Sequence, residues 1–386
     1  MRPEPVAVLA AGVVTPIGVD LDAFWSGLLG GGHALTAIER FRTDDLRVGR
    51  GGEIKKVPAV ASGIRSRAAA LLVAAAADLK SRAPLGAAPE RIAVVAGTAL
   101  GGVEELEHAL EDDPAPRRAL DALYDAPAHT LADWLGARGP VLTVSAACAS
   151  GATALGVGAD LLREGAADLV VAGGYDVLCR FVLRGFDVLR SLARERVRPF
   201  DRRRSGLLLG EAAGLVLLAR ERDAHGPRLG RLLGHGSASD ASHVAAPHPD
   251  GRGLEAAIHA ALAAAGVAAG DIDFVSAHGT GTPLNDRIET SVLRRVLGRR
   301  AEAVAVNSIK GALGHTMGAA AALEAIMCLL AAREGLIPPT AGYEEPDPAC
   351  DLDYVPGACR SATPRLMLST SLGFGGCNAA LVLEAA

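Results

Sequence analysis

Three observations in the 386-residue sequence predict an α/β layered fold. Short β-branched runs alternate with alanine-rich helical runs almost from end to end. Half of the chain is hydrophobic but only 3% is aromatic, with 46 glycines, so the core is built from Ala, Val and Leu on closely approaching backbones. The run from Val141 to Ala159 carries no charge and reads as a buried strand followed by a helix apolar on all sides, which belongs in the middle of a large protein. Its length suggests a membrane span, but Gly151, Gly156, Gly158 and a central turn argue for two buried elements and against a span.

In chain order, Val6–Ala10 reads as a strand leading to the Thr15-Pro16-Ile17-Gly18 turn, and Leu21–Leu29 as a short amphipathic helix. Ser66–Lys80 is an alanine-rich helix, and Ile92–Ala96 a strand ending in the glycine turn 97–102. A strand over Val141–Val144, a turn at Cys148 and a helix over Ala152–Arg163 follow, then strands at Leu169–Ala172 and Gly214–Ala219. Helices are expected over Leu254–Ala265 and Gly318–Arg333, and strands near Phe274–Ser276, Val304–Val306, Leu366–Thr370 and Ala379–Leu383. The helices after Cys148 and His315 both end in Arg-Glu-Gly, at 163–165 and 333–335, a faint internal repeat. It places the junction between halves near 228–236, with 237–253 as the loosest loop.

The formal net charge of −5 gives no global basic field for nucleic acid, and Trp25, Trp134 and the few tyrosines form no base-stacking pattern. Six scattered cysteines show no C-x-x-C pair, and Met1-Arg2-Pro3-Glu4-Pro5 lacks a secretory layout, so a cytoplasmic protein is expected. His243 and His248, separated by proline, lack the spacing of a metal site, so no metal is expected.

Four segments carry chemistry. Cys148 stands where a strand gives way to a helix, whose N-terminus presents unpaired N–H groups and about half a positive charge. That field favours the nucleophilic thiolate. His278 lies in Ala277-His278-Gly279-Thr280-Gly281-Thr282, and His315 in Lys310-Gly311-Ala312-Leu313-Gly314-His315. Two neutral imidazoles form a paired donor site for a carbonyl becoming an enolate, and the helix after His315 keeps that ring neutral. Lys310 sits in apolar, glycine-rich surroundings, with Glu289 as its expected partner. Thr280 and Thr282 can hydrogen-bond an extended amide-bearing arm. In Ser371-Leu372-Gly373-Phe374-Gly375-Gly376-Cys377-Asn378, the Phe374 amide is placed to join that of Cys148 as an oxyanion hole.

These four blocks, with Arg198-Pro199-Phe200-Asp201 through Leu209-Gly210-Glu211, resemble the β-ketoacyl-acyl carrier protein synthases of the Cys-His-His kind over essentially the whole chain. The resemblance implies the thiolase fold, two similar βαβαβαββ halves in five layers, α-β-α-β-α. Residues 1–230 would carry the nucleophile and 231–386 the two histidines. It implies Cys148 as acyl acceptor, His278 and His315 as the decarboxylation pair, Lys310 held by Glu289 in support, and Phe374 as a gate. Thr280, Thr282 and Gly375 would contact the phosphopantetheine arm. No cofactor is implied beyond the substrates' own carrier. The implied partners are acyl carrier protein and a second subunit, giving a homodimer or a heterodimer with a chain-length-factor-like chain.

Ala212 after Glu211 and Cys377 after Gly376 depart from the family pattern and bear on pocket shape. Carrier proteins are acidic, so a local basic patch is expected from Arg65, Arg67, Arg198 and Arg202, the last in an Arg202-Arg203-Arg204 run. Two other functions compete. A non-decarboxylating thiolase would use a second cysteine, for which Cys377 is the candidate. A chain-length partner subunit would lack the nucleophile.

Overall fold

The computed structural model describes residues 3–111 and 116–386, so Met1 and Arg2, on which the reading of no secretory leader partly rests, lie outside it. Ten strands form one continuous sheet, five from each half of the chain. The first half supplies Val6–Val14, Ile92–Gly97, Val141–Val144, Leu169–Asp176 and Ala212–Arg220. The second supplies Gly230–Ser239, Phe274–Ser276, Ala305–Asn307, Leu366–Gly373 and Cys377–Ala385. Within each half the spatial order is first, fifth, fourth, second, third. The fifth strand is antiparallel to the fourth, and the fourth, second and third are mutually parallel. The halves meet where Val6–Val8 pairs antiparallel with Gly230–Leu232.

Helices complete five layers, the thiolase fold. Ser150–Arg163 and Ala320–Glu334 lie between the two halves of the sheet, and Ala320–Ala331 are buried without exception. Arg67–Arg82 and Ala126–Leu135 cover the first half, Arg252–Ala265 and Pro283–Leu297 the second. Small residues make the central contact possible. A Cβ on Gly151 would stand 2.8 Å from both Ala322 N and Gly318 O, so the two central helices touch at backbone level.

Most expected elements are present and run a few residues longer. Three segments differ. Residues 230–239, to which the sequence reading gave no strand, form the strand Gly230–Ser239, which opens the second half and takes in the start of the expected loop. The stretch after Thr282, given no element in the sequence reading, is the helix Pro283–Leu297, with proline at the position where a missing N–H costs nothing. Arg180–Val188 is a helix that the sequence did not signal. The run 141–159 divides as expected into a strand and a helix, and among the described residues no helix is long and apolar enough to cross a membrane.

Candidate active site

The strand Val141–Val144 passes through a tight turn into the helix Ser150–Arg163, and Cys148 sits in that turn. Ala147 adopts φ 50°, a left-handed conformation costly for a residue with a Cβ. Ser150 holds the turn: its hydroxyl accepts from the Ala146 N–H at 2.9 Å and lies 3.0 Å from the Thr98 carbonyl and 2.5 Å from that of Ala147. Cys148 is only 7% exposed. Burial pushes its thiol up to about 12, against the opposing pull of the Lys310 charge and of the Phe374 and Cys148 amides. Desolvation thus opposes the thiolate that the helix terminus favours.

Cys148 Sγ lies 2.9 Å from His315 Nε2, and the rings of His278 and His315 stand 5.3 Å apart at 86°. Burial, then the Lys310 charge, holds both imidazoles well below their usual pKa, so both are neutral. The Met317 N–H donates to His315 Nδ1 at 3.3 Å, which leaves the ring proton on Nε2, facing sulfur. His278 Nδ1 is buried without a partner, so no such bond locks that ring.

Lys310 does not pair with Glu289. Its Nζ forms a buried ion pair with Glu324, on the central helix Ala320–Glu334. Burial raises the Glu324 carboxyl to about 7, and Lys310 draws it back. Glu289 instead organises the loop of His278. Its two oxygens accept the His278 and Gly279 amides at 2.7 and 2.8 Å and the Thr370 hydroxyl at 2.7 Å. Asp286 does the same one turn earlier on the same helix, taking the Phe200 N–H at 2.7 Å and the Gly281 N–H at 3.2 Å. The signal for Glu324 was present in the sequence: it is the one charge in the run from Gly311 to Ala332.

A cavity of about 470 Å³ opens from these groups to the surface, lined by Cys148, His278, His315, Thr280, Thr282 and Phe374. The Thr280 and Thr282 hydroxyls bond each other at 2.9 Å. Phe374, expected as a gate, stacks with centroids 5.3 Å apart on Phe186, which the unforeseen helix Arg180–Val188 supplies. Gly375 does not line the cavity. Its φ of 76° makes the turn after Phe374, and its N–H donates to Val244 O at 2.9 Å. Cys377 does not line it either.

The expected basic patch is largely consumed by internal ion pairs. Arg67 holds the fully buried Glu211 with two bonds and the Ile54 carbonyl with a third. Arg198 is tied to Glu344 at 2.8 Å, and Arg65 faces Asp121 at 3.5 Å. Arg202 is exposed, and Arg190, not anticipated, lines the cavity. Among the described residues no group of three or more His, Cys, Asp or Glu is arranged to hold a metal, and this includes His243 and His248.

Residues 3–224 match the family described as "Beta-ketoacyl synthase, N-terminal domain", and residues 229–344 its C-terminal domain. The chain is 38% identical to the tetracenomycin polyketide synthase ketoacyl synthase alpha subunit of Streptomyces glaucescens, covering 98% of this chain and 96% of that one. It is 34% identical to the 3-oxoacyl-[acyl-carrier-protein] synthase 2 of Synechocystis sp., over 100% and 99% of the two chains. The solved structure of the ishigamide ketosynthase/chain length factor superposes over 100% of both chains with TM-score 0.92 and 33% identity. A buried cysteine facing two neutral histidines on a repeated five-layer scaffold agrees with these likenesses, and the chain belongs to the β-ketoacyl synthase family.

Proposed function

We propose that this enzyme condenses an acyl group held on Cys148 with a malonyl unit on acyl carrier protein, releasing CO2 and a β-ketoacyl chain two carbons longer. The observation that carries the proposal is Sγ at 2.9 Å from the Nε2 of a neutral His315, with a second neutral imidazole alongside. The Cys148 sulfur attacks the incoming acyl thioester, and its proton leaves on the carrier's thiol. The Cys148 and Phe374 amides hold the tetrahedral oxyanion. Malonyl-carrier then binds with its thioester oxygen between the imidazoles. Loss of CO2 leaves an enolate, steadied by N–H donation from both rings. Its carbon attacks the acyl carbonyl, and collapse of the adduct expels the Cys148 thiolate. Thiol, imidazoles and amides handle every charge, so the reaction needs no metal or organic cofactor in the protein.

Cys377 lies outside the cavity, which disfavours the thiolase alternative. The likeness to a ketosynthase/chain length factor structure keeps a heterodimer beside a homodimer, with this chain as the subunit that bears the nucleophile. A cytosolic setting suits six cysteines that are all unpaired.

Mass spectrometry after exposure to acyl-carriers tests the proposal. Cys148 should gain the acyl mass. Cys148→Ala should abolish labelling and condensation, whereas Cys148→Gln should still release CO2 from malonyl-carrier. Labelling of another residue in the alanine variant would refute the assignment.

A further inference from the structure

Asp176 ends the strand Leu169–Asp176 and is fully buried, yet no cation pairs with it among the described residues. Four neutral donors surround it. The Thr98 hydroxyl and Leu100 N–H reach Oδ1 at 2.7 and 3.0 Å, and the Ala99 and Gly318 N–H groups reach Oδ2 at 2.9 and 2.6 Å. A buried carboxylate with no counter-charge is costly, and burial raises its pKa to about 6.

Its bonds lead in two directions. The Gly318 amide belongs to the residue after Met317, whose own N–H fixes the His315 tautomer. The Thr98 carbonyl accepts from Ser150, the residue that closes the turn of Cys148. Both turns are strained in the same way, with φ 50° at Ala147 and 51° at Met317. Counted back from the two Arg-Glu-Gly helix ends, these residues occupy equivalent places in the two halves. Strain of this kind persists only where the surroundings over-determine it. The packing here leaves no slack: a Cβ on Gly174 would lie 2.1 Å from Gly318 O, and one on Gly318 would lie 2.6 Å from Thr98 Cα.

We infer that Asp176 is a positioning residue: by clamping the Gly318 amide and the Thr98 loop together, it makes the Met317 N–H meet His315 Nδ1, so that Nε2–H is presented to Cys148 sulfur. The inference rests on the role proposed above for His315.

Asp176→Asn is the test, because it keeps the shape but turns one acceptor oxygen into a donor facing donors. Turnover of acyl- and malonyl-carrier should fall in kcat by about tenfold to a hundredfold, the scale of a small misplacement of reacting groups, with KM for both carriers within about twofold. In parallel, 15N spectra of histidine-labelled protein should show His315 leaving the single Nε2–H tautomer, with His315→Asn identifying the signals. If Asp176→Asn does not fold, Thr98→Val is read in the same way. A folded variant with unchanged kcat, a loss confined to KM, or a fall in kcat with unaltered His315 nitrogens would each overturn the inference. The nitrogen spectrum needs no substrate, so it judges the clamp even if the wild-type enzyme proves to catalyse a different reaction.

Discussion

At the scale of single residues, burial sets the resting charges of the site. Both imidazoles are neutral, and the Cys148 thiol, pushed up to about 12, keeps its proton at neutral pH. The sign of the resulting pH dependence is fixed. Alkylation of Cys148 by iodoacetamide, followed on its own peptide, should rise about tenfold per pH unit from 7 to 10, because the thiolate fraction is still climbing. A plateau below pH 8 would show instead that the helix terminus and Lys310 win over desolvation. The sequence made the three reacting side chains legible because each stands in a stretch of small or apolar residues. It marked Glu324 as an isolated charge in an apolar run but did not say that Lys310 is its partner. Glu289 and Glu324 are both within plausible reach along the chain, and only the insertion of Ala320–Glu334 between the sheet halves brings Glu324 to the ammonium.

At the scale of elements, the central pair of helices sets how far sulfur lies from imidazole. Ser150–Arg163 carries the nucleophile at its start, and Ala320–Glu334 follows the His315 turn. At Gly151 they approach with no room for a side chain. Gly151→Ala should therefore force the helices apart, costing about 1–3 kcal/mol of stability and lowering kcat. A lower thermal unfolding midpoint together with slower condensation is the expected result, and an unchanged midpoint would show that the helices can slide without cost. The strand Gly230–Ser239 escaped sequence reading for a related reason. Its Gly234 and Gly236 look like turn residues, but they are where the helix Arg252–Ala265 lies against the sheet: Cβ atoms there would meet Ala261 O at 2.4 Å and Ala257 O at 2.2 Å. The helix Pro283–Leu297 was obscured by Asn285, Asp286 and Glu289, polar residues turned inward: the two carboxylates accept loop amides, and the Asn285 side-chain amide donates to both carboxylates.

At the scale of the whole molecule, the two ends of the ten-stranded sheet differ. Ala305–Asn307 is buried, whereas Val141–Val144 is only partly covered and exposes Leu142 to 37%. Leu120, Leu123 and Tyr124 are exposed as well, and the Tyr124 hydroxyl donates to the Thr98 carbonyl, just past the end of the neighbouring strand. An uncovered apolar edge strand is a template for pairing, and this one leads directly into the turn of Cys148. In the dimer proposed above, Leu142→Glu should reduce the mass measured by light scattering to that of a monomer and lower condensation with it. A variant that stays dimeric would place the subunit contact elsewhere.

The short seam between Val6–Val8 and Gly230–Leu232 lies beside the surface turn 221–229, the one crossing from the first five strands to the second five. Cutting the backbone there would sever no strand and no helix of the central layer. Yet each fragment alone would expose an apolar helix that its counterpart normally wraps. Expressed separately, the pieces should aggregate, and produced together they should complement one another into a working enzyme, each nursing the other's unfinished core.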